Sequence, residues 1–125
     1  MSYKPEGYTD ISPYLVVPDV EAVLDFLESA FGAERLRFIR REDGSPMHAE
    51  ARIGDSVVMM GQQAGGPAQH VHLYVPDSRA LHAAALAAGG MSVQEPTDKG
   101  DGDLRGGVKD PGGTTWWLST QISTE

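Results

Sequence analysis

The phrase SPYLVVPD at Ser12–Asp19 returns as HVHLYVPD at His70–Asp77, and the echo continues in one register. At a constant spacing of 58 residues, Leu15 recurs as Leu73, Val17 as Val75, Pro18 as Pro76, Asp19 as Asp77, Ala22 as Ala80 and Gly54 as Gly112. A single short match arises by chance. A turn, a helix start and a hairpin glycine holding one offset do not. The chain therefore reads as a duplicated unit within a single domain, residues 1–125. Module 1 covers about 11–61, a Gly/Pro linker (QQAGGPAQ) covers 62–69, and module 2 covers about 70–120.

Each module reads β-α-β-β-β. Ile11–Val17 alternates in polarity, as a half-buried strand does. Pro18-Asp19 stops it, and Asp19 is placed to cap a helix whose apolar residues Val20, Val23, Leu24, Leu27, Ala30 and Phe31 recur at helical spacing. Gly32 ends that helix. Strands are predicted over Arg35–Arg40, Met47–Ile53 and Ser56–Gly61, with turns at Asp43-Gly44 and Gly54-Asp55. The second module repeats the order with a strand at His70–Val75, a helix at Ala80–Ala88, and strands at Ser92–Glu95, Leu104–Lys109 and Thr114–Thr120. Met1–Asp10 reads as a loose polar arm, and the glycine-rich stretch Asp98–Gly107 as a mobile flap.

One helix can cover only one face of such a module's sheet, so the other needs a partner. The expected fold class is α+β: two tandem modules forming a cup-shaped mixed sheet with the helices outside. Its concave face is left free for a ligand. Alternation assigns the faces. Leu15, Val17, Ala49, Ala51, Ile53, Val58, Met60, Val71, Leu73, Val75, Trp116 and Leu118 form a uniformly apolar set that belongs under the helices. The opposite set mixes polar and aromatic groups: Ser12, Tyr14, His48, Glu50, Arg52, Val57, Met59, His70, His72, Tyr74, Thr115 and Trp117.

Composition narrows the partners. Ten basic against 18 acidic side chains leave a net charge of −8, which repels nucleic acid and anionic membranes. The one basic cluster, RLRFIRR at Arg35–Arg41, reads as the solvated side of a strand. No apolar run approaches the roughly 18–20 residues that span a bilayer, and the first residues lack the pattern of a secretory signal. The absence of cysteine excludes disulfides, thiolate metal sites and cysteine nucleophiles. A cytoplasmic setting is expected.

ISPYLVVPD, FLESAFGAE at Phe26–Glu34, MHAEARIGDSVVMM at Met47–Met60, VHLYVPD, AAGG at Ala87–Gly90 and VKDPGGTTWWL at Val108–Leu118 carry a resemblance. In order and spacing they resemble the glyoxalase / bleomycin-resistance / extradiol-dioxygenase (vicinal oxygen chelate) superfamily, and within it the PhnB-like branch. The resemblance implies a homodimer, in some members with modules exchanged between chains. It also implies divalent-metal ligands on the first and last strands of each module. Those positions here are Ser12 and Met59, then His70 and Trp117. Only His70 is a competent ligand, since thioether and indole do not hold such ions.

The inherited metal site therefore reads as lost, and no cofactor is expected. The expected function is binding of a planar or amphipathic small molecule by Ser12, Tyr14, His48, Met59, His70, His72, Tyr74 and Trp117. The alternative is a metal-dependent lyase, isomerase or dioxygenase, in which His70, His72, His48 and Glu50 hold Zn, Ni, Mn or Fe. Glu50 is also a candidate general base, provided apolar neighbours raise its pKa and it is not paired with His48 or Arg52. His82, on the second helix, is expected to be exposed.

Overall fold

The computed structural model describes residues 3–123. It is α+β, with the expected two tandem β-α-β-β-β modules. Module 1 contains β1 (Tyr14–Val17), α1 (Val20–Phe31), β2 (Glu34–Arg40), β3 (Pro46–Ile53) and β4 (Ser56–Gln62). Module 2 contains β5 (Gln69–Tyr74), α2 (Ser78–Ala87), β6 (Met91–Asp98), β7 (Asp103–Lys109) and β8 (Thr114–Gln121). Each forms a four-stranded mixed sheet, ordered β1-β4-β3-β2 and β5-β8-β7-β6, with one parallel pair, β1–β4 or β5–β8.

The duplication extends to single atoms. Asp19 and Asp77 sit before their helices in the same extended conformation, and each carboxylate accepts the backbone N–H three residues on, at 3.1 Å. That contact satisfies a donor the first helical turn would otherwise leave orphaned. Gly32 closes α1 at a φ of 67°, where a side chain would be strained.

All twelve residues of the apolar set lie in one core or pack against it. That core takes the apolar faces of both sheets together with α1, and α1 also touches α2. Phe31, closing α1, meets the Trp116 indole of β8 with ring centroids 5.4 Å apart. Phe26 packs beside Gly90, and Val23 beside Gly112. Each fully buried side chain of this size contributes about 1.5–3 kcal/mol, so the two modules share their largest stabilising term. Because both apolar faces turn toward the helices, the two mixed faces point away from that common core.

A side chain also links the modules. Gln69 Nε2 donates to the Val16 carbonyl at 3.0 Å, and Gln69 Oε1 accepts from the Val16 N–H at 2.9 Å.

Three expectations are corrected. Residues 3–10 are not a loose arm: Tyr8 donates to Glu50, and Arg52 Nη2 donates to the Gly7 carbonyl at 3.0 Å, so the segment is tied across module 1. The expected flap is mostly sheet. Its glycines Gly106 and Gly107 are buried within β7, and the turn itself is confined to residues 99–102. His82 is 3% exposed, because Gly106 leaves room for its ring and Ser92 Oγ lies 3.0 Å from its Nε2. The RLRFIRR cluster is half-engaged: Arg35 reaches back to Glu21, Asp25 and Glu28 of α1.

Candidate functional site

The mixed face of module 2 is open. Pairing of β5, β8 and β7 brings His70, His72, Tyr74, Thr115, Trp117, Ser119, Arg105 and Gly107 to one side. Trp117 Nε1 donates to His70 Nδ1 at 3.1 Å, and the two ring planes are within 11° of parallel, with centroids 6.3 Å apart. Together they form a flat aromatic slab. Tyr74, 63% exposed, meets the His72 ring edge-on at 4.7 Å and donates its hydroxyl to Asp103 Oδ2 at 2.9 Å.

Beside that slab, on the same face, runs a polar chain. Ser119 Oγ lies 2.9 Å from His72 Nε2 and accepts from Arg105 Nε at 3.0 Å. The same guanidinium donates to Asp101 at 2.9 Å and Asp103 at 3.0 Å. Hydrogen bonding to Asp101 raises the Arg105 pKa and lowers that of Asp101, so this pair stays charged. Arg105, Asp103 and Ser119 escape a sequence reading, because nothing in the loop pattern says which residues turn inward.

The mixed face of module 1 is partly covered. Glu50, though on that face, is only 3% exposed. Leu36 and Arg37 form a bulge opposite it, which leaves the Arg37 backbone N–H free to bond its carboxylate. His48 Nε2 donates to Glu50 Oε2 at 2.7 Å, and Tyr8 donates to Oε1. Burial pushes the Glu50 pKa up, but hydrogen bonds from His48 and Tyr8 outweigh it and hold the carboxylate below its ordinary range. Of the two partners weighed in the sequence, the structure shows His48; Arg52 instead pairs with Glu34 at 3.1 Å. Tyr14, 51% exposed, lies with its ring 5.8 Å from His48 and its hydroxyl above Gly61.

The metal positions implied by the fold do not fit an ion. Ser12 Oγ is buried without a hydrogen-bond partner, and Met59 and Trp117 offer a thioether and an indole. Since His70 Nδ1 accepts the Trp117 N–H, a neutral His70 carries its proton on Nε2 and has no lone pair left for a metal. The alternative set is divided, with His48 and Glu50 on one sheet and His70 and His72 on the other. Among the described residues, no three His, Asp or Glu side chains converge in a ligating group.

A cleft of about 330 Å³ opens between the modules, lined in part by Val16, Gly65, Gln69, Lys109 and Gly113, but it lies away from Trp117 and Glu50. No helix among the described residues is long and apolar enough to cross a membrane.

Comparison with known proteins agrees with this architecture. An uncharacterised protein of Mycobacterium bovis is 33% identical over 126 residues, covering 90% of this chain and 83% of its own. The crystal structure of TioX from Micromonospora sp. ML1 superposes with a TM-score of 0.77 at 25% identity, covering 91% of this chain and 99% of that one. The fosfomycin resistance protein FosX from Mesorhizobium loti shares the fold, with a TM-score of 0.68 at 18% identity over 95% of both chains. The family model of the Glyoxalase/Bleomycin resistance protein/Dioxygenase superfamily matches residues 9–118. The chain belongs to that superfamily.

Proposed function

We propose that this protein binds a planar or amphipathic small molecule without a metal ion, between mixed sheet faces contributed by two copies of the chain. The observation that carries this reading is the Trp117–His70 slab, in which the imidazole is exposed and the indole half-buried. Two parallel rings on an open sheet face, with Tyr74 and His72 beside them, present apolar area at little conformational cost. Such a surface suits a flat partner.

The need for two copies follows from the outward direction of both mixed faces. Within one chain the module 2 face has no opposing wall, and the module 1 face has only the segment 3–10 over part of it. A two-fold dimer that sets the module 1 face of one copy against the module 2 face of the other closes two equivalent cups. His70, committed to the Trp117 N–H, serves there as a positioning and stacking group rather than a metal ligand. A cysteine-free surface of net negative charge accords with a cytoplasmic setting.

The test uses protein purified without a polyhistidine tag. Sedimentation should give a dimer, metal analysis should give no stoichiometric ion, and a panel of planar aromatic compounds should quench Trp117 saturably. The Trp117→Ala variant should lose that response. Stoichiometric Zn, Ni, Mn or Fe that disappears in a His70→Ala/His72→Ala variant would overturn the reading in favour of a metal enzyme.

A further inference from the structure

The two mixed faces are built from equivalent strands, yet only the first is covered, and its cover is the chain's own N-terminal segment. At the 58-residue offset that segment corresponds to the linker, and Gly7 and Gly65 share a positive φ of 84° and 72°. The linker leads to Gln69 and the edge of β1, whereas residues 3–10 lie across β3. The pieces match their tasks. At Gly7 a β-carbon would stand 2.9 Å from Arg52 Nη2, so glycine permits the Arg52 contact with the Gly7 carbonyl. Asp10 ties the segment to itself through Tyr3 at 2.8 Å and Lys4 at 2.5 Å.

What the segment delivers is a phenol. Tyr8 places its hydroxyl on Glu50 Oε1, a buried carboxylate whose other oxygen is filled by His48 and which also receives a backbone N–H. With Oε2 taken by His48, Oε1 is the oxygen left to a donor from outside β3. A neutral aromatic O–H supplies that donor without adding an uncompensated charge. The Tyr14 ring and Met59 flank the position on neighbouring strands. Anionic groups are disfavoured by the carboxylate itself.

We propose that the Glu50–His48 pair is a docking point for the hydroxyl of a hydroxyaromatic ligand, and that Tyr8 occupies it in cis as a displaceable self-ligand. This rests on the reading of the mixed faces as a small-molecule site and names the class of molecule it takes. Binding then requires the segment 3–10 to swing away, so the free chain discriminates against molecules unable to replace the phenol.

The experiment compares 7-hydroxycoumarin with 7-methoxycoumarin, which share a ring but differ in the O–H. In the full-length Tyr8→Ala variant, the hydroxy compound should bind about tenfold tighter than to the unmodified protein, the scale of one hydrogen bond to a charged group. The methoxy compound should not change. The bound hydroxy dye should keep the absorbance of its neutral form at a pH where the free dye is ionised. Adding Glu50→Gln should erase the preference between the dyes. Tyr8→Phe, which keeps the packing ring and loses only the hydroxyl, should give an intermediate gain and guards against misfolding of the alanine variant. Equal affinity for both dyes, or no binding of either by folded Tyr8→Ala protein, overturns the proposal. If both dyes quench Trp117 alike with no hydroxyl preference, the aromatic-binding reading stands and this one falls. A hydroxyl preference without any Trp117 response leaves this docking point and removes the cup.

Discussion

The six-membered ring of Trp117 rests on the backbone of Gly107: a β-carbon there would stand 2.7 Å from Cζ3 and 2.9 Å from Cε3 of the indole. Val93 Cγ2 would stand 2.7 Å from the same β-carbon. The aromatic slab is therefore held at its height above the sheet by the absence of a side chain.

Gly107→Ala should lift the indole off the sheet. Gly107 does not occupy the left-handed region, so the cost is steric overpacking, about 1–3 kcal/mol. Near-ultraviolet dichroism and Trp117 emission should both change, and aromatic quenching should weaken. Unchanged spectra would show that the ring does not need this glycine.

Glu50 gives the stability a pH dependence with a definite sign. Its folded pKa lies below the ordinary 4.5, so the unfolded chain binds its proton first and stability falls with pH below that value. The Glu50→Gln variant should be less stable at neutral pH by about 1–3 kcal/mol. The gap should narrow as pH drops below about 4.5, measured by denaturant midpoints across the range. A gap constant with pH would mean that the loss is one of packing alone.

Asp110 holds the last turn together. It is buried, and accepts from the N–H groups of Gly112 at 2.8 Å and Thr114 at 3.0 Å and from the Trp116 indole at 2.8 Å. Asp110→Ala leaves three donors without this acceptor and should cost about 3 kcal/mol or more in thermal or chemical unfolding. A change within 0.5 kcal/mol, the order of an ordinary surface substitution, would contradict this assignment.

Phe31→Ala removes the ring that α1 sets against Trp116. Loss of about 2–4 kcal/mol is expected for a large aromatic at the margin of a core. Because one core serves both modules, dichroism and the emission of buried Trp116 should report a single coincident transition before and after the change. Separate transitions would show that the modules are independently stable.

Much of the fold is written into the repeat, because strand alternation and the Pro-Asp helix starts are local signals. The apolar face follows from period 2, and its twelve residues lie in or against the core with Trp116 inward, whereas period 2 does not show that Glu50, Val57 and Thr115 on the mixed face are buried too. The start of β1 was less legible: Ile11 belongs to the alternating pattern but is 86% exposed, and pairing begins only at Tyr14. The burial of His82 is not legible in the sequence, because helix periodicity does not show that Gly106 vacates space opposite it. The role of Tyr8 is hidden for a related reason. Its partner is Glu50, across 42 residues of chain, and no spacing rule connects a tyrosine in a polar arm to a carboxylate on β3.

The Gln69 amide gives Val16 the two hydrogen bonds that another strand would have supplied. An unoccupied outer strand is a template on which a further chain can add, and repeated addition leads to open-ended aggregates. One side chain thus terminates this sheet at β1 by imitating a peptide unit. Strand addition at this rim is thereby blocked without a proline, a bulge or a covering helix.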